Sequence, residues 1–354
     1  MLVNSVMASM LDDQKVAQFG RSPYDGLAVA FSPVFDSSQV PSSGEISQKI
    51  NGWRKISKKD IWPWVYLNRM IAVDDAQNDP HTAGNPYFHR IVGVDLEDRA
   101  GAESDFLRIW ANSLRAARDS QVPGIVFDPE FYNFYKEYDP TVLAVQIGKK
   151  PDEVLDLLKK LGAQMADTAA AQYPDATLWF LATGFTHPGY KGAGNRHYFL
   201  SITYIAMGLL DEIENRHYRL KVLSGGEISL GYCHAYLQQF QQEIKDRATG
   251  FAPELQKYAG TLDLGGTLTL WGDAAAKRGW VAESDCARCP AANVEELQPY
   301  LELLLKSYRY NWIYGSMDAG YDAFDSRIAP RFDAVIRKAE ASVLGRVAPQ
   351  SGLY

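Results

Sequence analysis

The chain has 354 residues, 46% hydrophobic and 22% charged, which is the balance of a globular protein able to build a sizeable core. A net charge of −7 and a pI near 5.5, with no stretch that concentrates Lys and Arg, exclude a nucleic-acid partner, whose phosphates demand clustered positive charge. No uninterrupted apolar run of about 18 residues occurs, which excludes a membrane-spanning helix.

The opening stretch, MLVNSVMASMLDDQKVAQ, is too short in its apolar part and turns acidic too soon for a secretory signal. Export with a leader already removed and residence in the cytoplasm both stay open. LVNSVM (2–7) predicts strand one and GLAVAFS (26–32) strand two, followed by a long loop from Ser32 to Pro63. VYLNRMIAV (65–73) predicts strand three, with Asp74 and Asp75 at its end. Asn68 sits in the middle of that run, an unusual place for an amide in a core and a candidate hydrogen-bonding group for a substrate. A second long loop, Asp74 to Ala102, is rich in Asn, Asp, Pro, His and Gly.

SDFLRIWANSLRAARDS (104–120) predicts a helix, because Phe106, Ile109, Trp110, Ser113, Leu114 and Ala117 fall on one side. GIVFD (124–128) predicts strand four. PDEVLDLLKKLGAQMADTAAAQY (151–173) opens with Pro151, Asp152 and Glu153, a proline and two acids suited to the positive end of a helix dipole. TLWFLATGF (177–185) predicts strand five, ending near Thr183 and His187, with a loop from Phe185 to His197. The Gly192–Asn195 segment there has no third glycine and no following Gly-Lys-Ser/Thr, so it predicts a turn and no phosphate cradle. LKVLSGGE (220–227), TLTLWGD (267–273) and NWIYGSM (311–317) predict strands six to eight, with a loop from Gly272 to Asn293. VEELQPYLELLLKSYR (294–309) and RFDAVIRKAEASVLG (331–345) predict the last two helices.

Apolar strands that alternate with amphipathic helices imply a parallel sheet covered on its faces. Eight such units predict a single α/β domain over residues 1–354, a (β/α)8 TIM barrel of roughly 250 residues with the surplus in long loops at its C-terminal face. A doubly wound sheet would need a glycine-rich turn after strand one, and NSVMASMLDD has none.

Catalytic groups of such a barrel collect where the strands end, and acids dominate there. Asp128 and Glu130 are two residues apart, so in extended chain both project to one side, with Pro129 stiffening the display. Two carboxylates so close cannot both ionise freely, which suits one of them to general acid work. Glu227 follows Ser224-Gly225-Gly226, where two glycines let the backbone pass close to a neighbour. Set against Glu130 across the mouth, it offers the second carboxylate that glycoside hydrolysis needs. Asp273 and Asp318 are reserves for that role. Aromatic rings crowd these acids: Phe131, Tyr132, Phe134 and Tyr135 after Glu130, Tyr232 and Tyr236 after Glu227, Trp271 before Asp273, and Trp312 and Tyr314 on strand eight. Twenty tyrosines and eight tryptophans suit stacking on sugar rings, and equally the packing of a large barrel. Trp312 and Tyr314, as alternate residues of one strand, fit either use.

Cysteines number three, Cys233, Cys286 and Cys289. The lone Cys286-Ala-Arg-Cys289 has no second pair to complete a zinc site, so it predicts a local disulfide or two free thiols.

YDGLAVAF, YLNRM, WANSLRAARDSQVPGIVFDPEFY and SGGEISLGY together resemble a group of bacterial TIM-barrel proteins treated as glycoside hydrolases. That group carries a D-x-E-x-Y motif on strand four and a Gly-x-Glu or Gly-Glu motif on strand six. The resemblance implies sugar hydrolysis by Glu130 and Glu227 with Asp128 in support. A further echo is the D-x-E ending of the chitinase-type strand-four motif, of which GIVFDPE offers only the last two acids.

The sequence thus predicts a glycosidase acting on an oligo- or polysaccharide, with Glu130 as general acid, Glu227 as nucleophile or base, and Asp128 tuning Glu130. Asn68, Tyr132, Tyr232, Trp271, Asp273, Trp312, Tyr314 and Asp318 are the candidate substrate-binding residues. No cofactor, metal, nucleic acid or membrane is expected, and the oligomeric state is open. Two other readings stand beside it: a carbohydrate-binding barrel without catalysis, and a metal-dependent hydrolase using Asp74, Asp75, His81 and His89.

Overall fold

A computed structural model of the protein describes residues 2–31, 40–66, 105–129, 141, 144, 145, 148–182, 198–230, 236–269, 294–314, 324 and 329–345. In chain order the elements are β1 (Leu2–Met7), α1 (Asp13–Phe19), β2 (Gly26–Ala30), α2 (Ser43–Ser57), β3 (Asp60–Tyr66), α3 (Asp105–Asp119) and β4 (Gly124–Asp128). They continue with α4 (Pro151–Gln172), β5 (Thr177–Phe180), α5 (Tyr198–Arg216), β6 (Lys221–Ser224), a one-turn α6 (Glu227–Leu230), α7 (Leu237–Gly250) and α8 (Ala252–Lys257). The last are β7 (Leu262–Leu264), β8 (Gly266–Thr269), α9 (Leu297–Ser307), β9 (Asn311–Tyr314) and α10 (Ala329–Gly345).

The strands make one sheet in the order β7-β6-β5-β4-β3-β2-β1-β9-β8, and every adjacent pair is parallel. The two ends of that order are covalent neighbours, because only Gly265 separates β7 from β8. The Gly265 N–H donates to the Ser224 carbonyl after β6 at 2.7 Å, and the Gly266 N–H donates to the Tyr310 carbonyl before β9 at 2.7 Å. One strand therefore hands its partners over at Gly265, and the sheet closes on itself as a (β/α)8 barrel.

Tryptophan fills the inside. Trp62 of β3 meets Trp179 of β5 edge-on at 6.0 Å, and Trp64 of β3 meets Trp312 of β9 at 6.4 Å. Neither pair joins neighbouring strands, so these rings cross the barrel interior. Their bulk is matched by small residues on the neighbouring strand β2: Ala28 lies in register with Trp62, and a Cβ on Gly26 would sit 3.3 Å from the Trp62 indole. Part of the aromatic surplus is thus core. Outside the barrel, the apolar face expected of α3 is buried from Phe106 to Ala117, and Trp110 donates its indole N–H to the Met165 carbonyl of α4 at 3.1 Å. Helices α4 and α5 cross backbone to backbone at Gly162 and Gly208. Among the described residues no helix is long and apolar enough to cross a membrane.

Three expectations need correction. The stretch Ser32 to Pro63 is not one loop, because it carries α2, opened by a reciprocal cap: the Ser42 N–H donates to Glu45 at 2.7 Å and the Glu45 N–H donates to Ser42 Oγ at 3.2 Å. Strand three begins at Asp60, five residues before Val65. Pro63 argues against a strand in sequence, yet burial of Trp62 and Trp64 on either side holds the segment extended. Strand six ends at Ser224, and Glu227 opens α6 instead of closing the strand.

Candidate active site

The C-terminal ends of β4, β5 and β6 form a continuous hydrogen-bonded rim. Within β4, Phe127 turns outward, where its ring meets Trp110 of α3 at 5.3 Å and Phe180 at 4.9 Å. Strand alternation then turns Asp128 to the inside, level with Tyr66 of β3. Asp128 is 2% exposed. The Leu181 N–H donates to the Phe127 carbonyl at 2.9 Å, which carries the ladder past the end of β5.

From β6 the chain continues along that rim through two glycines. The Gly225 N–H donates to the Phe180 carbonyl at 2.6 Å, and a Cβ on Gly225 would lie 2.7 Å from the same oxygen. Gly226 takes φ +93°, a conformation that a side chain resists. The reversal delivers Glu227, whose N–H donates to the Leu181 carbonyl at 3.1 Å, while the Leu230 N–H donates to the Gly226 carbonyl at 2.7 Å and closes α6. Glu227 is 4% exposed. One strand stands between Asp128 and Glu227, so their backbones are about 10 Å apart at the usual strand spacing.

Among the described residues only three charged side chains are buried: Asp128, Glu227 and Arg247. Burying a charge costs several kcal/mol unless it is compensated, so chance seldom gathers such groups. Here two stand at the ends of β4 and β6, and the third, from α7, reaches the ends of β6 and β7. Arg247 donates through Nη2 to the Ser224 carbonyl at 2.6 Å and to Ser224 Oγ at 3.2 Å, and through Nη1 to the Gly265 carbonyl at 2.5 Å. Burial pulls the guanidinium pKa down from its ordinary value. Sequence reasoning missed this residue. Its only signal is phase, because Arg247 lies seven residues after Phe240 and shares the buried face of α7.

Tyr314, the last residue of β9, is half-buried at the same end of the barrel and packs on Trp312 at 5.0 Å. Trp312 lies one layer deeper, is 1% exposed, and packs against Trp64 at 6.4 Å and Tyr314 at 5.0 Å. Of the two uses open to Trp312, that surrounding fits packing. Tyr236 stands 51% exposed just before α7. Glu130, Asn68, Tyr132, Tyr232, Trp271, Asp273 and Asp318 lie outside the described residues, as do Asp74, Asp75, His81, His89 and the three cysteines. Hollows on the outer surface, such as that between α1 and α2 lined by Glu45, Lys49 and Trp53, are lined by neither Asp128 nor Glu227. Among the described residues no group of three metal-ligating side chains occurs.

No family model matches the chain, and no curated protein sequence matches it. Solved structures do. PbGH5A, a glycoside hydrolase family 5 enzyme from Prevotella bryantii B14, aligns over 93% of this chain and 86% of its own, with a TM-score of 0.50 and 10% identity. A family 5 xyloglucanase from Paenibacillus pabuli aligns over 93% and 90%, with a TM-score of 0.50 and 8% identity. The Prevotella bryantii endo-β-mannanase/endo-β-glucanase PbGH26A-GH5A aligns over 93% of this chain but only 43% of its own, with a TM-score of 0.50 and 10% identity. At these identities the likeness is one of fold.

Proposed function

We propose that the chain is a glycoside hydrolase that cleaves an oligo- or polysaccharide with two carboxylates. Support comes above all from one observation: two of the three buried charged side chains among the described residues are acids, Asp128 and Glu227, at the C-terminal ends of β4 and β6. That is the face on which barrels of this kind carry their chemistry. Glu130, two residues beyond Asp128, is the general acid that protonates the departing glycosidic oxygen. Glu227 either attacks the anomeric carbon directly or deprotonates the water that does. Asp128, held dry beside Glu130, favours the protonated form of its neighbour through like-charge repulsion. A separation near 5 Å between the Glu130 and Glu227 carboxyl groups gives retention, and roughly 6.5–9.5 Å gives inversion. Tyr314 is the described aromatic residue best suited to flank a sugar, and Asn68, Tyr132, Tyr232, Trp271, Asp273 and Asp318 complete the proposed binding set.

The test is release of reducing ends from a panel that includes mannan, β-glucan and xyloglucan, the substrates named for the structural neighbours. Glu130→Gln and Glu227→Gln should each lower turnover on the polysaccharide cleaved by at least about 10³-fold while leaving the far-UV and near-UV circular dichroism unchanged. Full activity in either variant removes that residue from the mechanism. Saturable sugar binding with no hydrolysis anywhere in the panel would point to a binding barrel instead.

A further inference from the structure

Arg247 is fully buried, yet among the described residues each hydrogen bond its guanidinium makes runs to a carbonyl or a hydroxyl and not to a carboxylate. Those acceptors are not ordinary backbone. The Ser224 carbonyl, which takes Nη2, also receives the Gly265 N–H and is the last peptide before the Gly225-Gly226 reversal. The Gly265 carbonyl, which takes Nη1, belongs to the residue at which the closing strand changes partners. The guanidinium carbon also stands over two aromatic rings, 5.2 Å from the centre of Tyr308 and 5.4 Å from that of Phe251. A Cβ on Gly226 would sit 3.2 Å from that carbon, so the guanidinium abuts the reversal itself.

We propose that Arg247 is a positioning residue for Glu227, clamping the ends of β6 and β7 so that the Gly225-Gly226 reversal holds the carboxylate at one height on the rim. The proposal rests on the reading of Glu227 as a working carboxylate. Lysine at 247 keeps the charge but has no planar fork, so it cannot bridge two carbonyls at once in the same plane. Methionine keeps most of the stem volume and loses the clamp.

The experiment uses the full chain with Arg247→Lys, Arg247→Met and Glu227→Gln. Hydrogen–deuterium exchange of the peptide spanning residues 224–230 should quicken by tenfold or more in Arg247→Met, and the loss of order should be confined to that segment. On the polysaccharide that the wild-type chain cleaves, kcat should fall about 10²-fold in Arg247→Met, the scale expected for a misplacement near 1 Å, with KM within threefold. Arg247→Lys should recover the wild-type urea midpoint better than it recovers kcat, since a purely structural role would return both together. Unchanged exchange at 224–230, or wild-type kcat in a folded Arg247→Met beside an inactive Glu227→Gln, overturns the positioning role alone. Wild-type activity in Glu227→Gln overturns the reading of Glu227 and the proposal with it.

Discussion

Two glycines in the middle of helices should respond to alanine with opposite signs. Alanine is favoured over glycine in a helix interior by about 1 kcal/mol, so an unobstructed site gains roughly that amount. Gly52 of α2 is such a site, exposed, with nothing within 4 Å of an added Cβ. At Gly162 of α4 the new Cβ would lie 2.0 Å from the Ile205 carbonyl oxygen and 2.7 Å from the Leu209 nitrogen, both backbone atoms of α5. Neither can swing aside, so α4 and α5 must part by about 1 Å. A gap of that width forfeits a quarter to a half of each dispersion contact across the interface, where Leu158, Leu161, Met165, Ile205 and Leu209 are all buried. Overpacking of this kind costs about 3 kcal/mol, and after the helix-propensity gain the net loss is about 2 kcal/mol. Urea unfolding followed by tryptophan fluorescence and circular dichroism reads both variants. Gly162→Ala should move the midpoint down while Gly52→Ala moves it up. Because Gly208 faces Lys159 of α4 in the same way, the double variant with Gly208→Ala should cost less than the two single losses combined. A Gly162→Ala protein as stable as the parent would mean that α4 and α5 do not touch backbone to backbone.

Two further outcomes follow from the rest of the structure. Burial raises the Asp333 carboxyl to about 6, outweighing the pull of Arg337 and Lys59, so the folded chain holds that proton over a window in which the unfolded chain has released it. Stability is then lost as pH rises from about 4 to 6, and Asp333→Asn should be more stable than the parent at pH 8 by on the order of 1 kcal/mol, discounted for partial solvent access, and equal to it near pH 4; a less stable variant at pH 8 would reverse the sign assigned to that carboxylate. Removing the cap of α2 with Ser42→Ala should cost about 1 kcal/mol in thermal or urea unfolding, and no loss would show that the reciprocal Ser42–Glu45 bonds contribute nothing.

Which parts of the fold were readable depended on whether the deciding interactions were local. GIVFD is apolar up to its closing acid and follows a proline, and it forms β4 at the expected residues. The 104–120 segment showed its buried face because helical periodicity is a property of the segment alone. The cap of α2 was equally local, a Ser-x-x-Glu pattern, and only the length of the surrounding polar stretch hid it. Trp62-Pro63-Trp64 was opaque for the opposite reason: the proline speaks locally against a strand, and the gain from burying two indoles across the barrel exists only once β5 and β9 are in place.

The sequence by itself determined an alternation of apolar strands and amphipathic helices, and with it a parallel barrel whose strand ends carry acids. It also marked Asp128 and Glu227, since acids next to buried runs and paired glycines are visible in one dimension. Only the tertiary structure decided that the closing strand changes partners at Gly265, that Trp312 is core, and that Arg247 belongs beside the Gly225-Gly226 reversal. In LQQFQQEIKDRATG an arginine looks like one more solvated charge. Its burial follows from the packing of α7 against strand ends contributed by residues 224 and 265, 23 and 18 positions away. Backbone carbonyls acquire a need for a donor only where the chain closes around them.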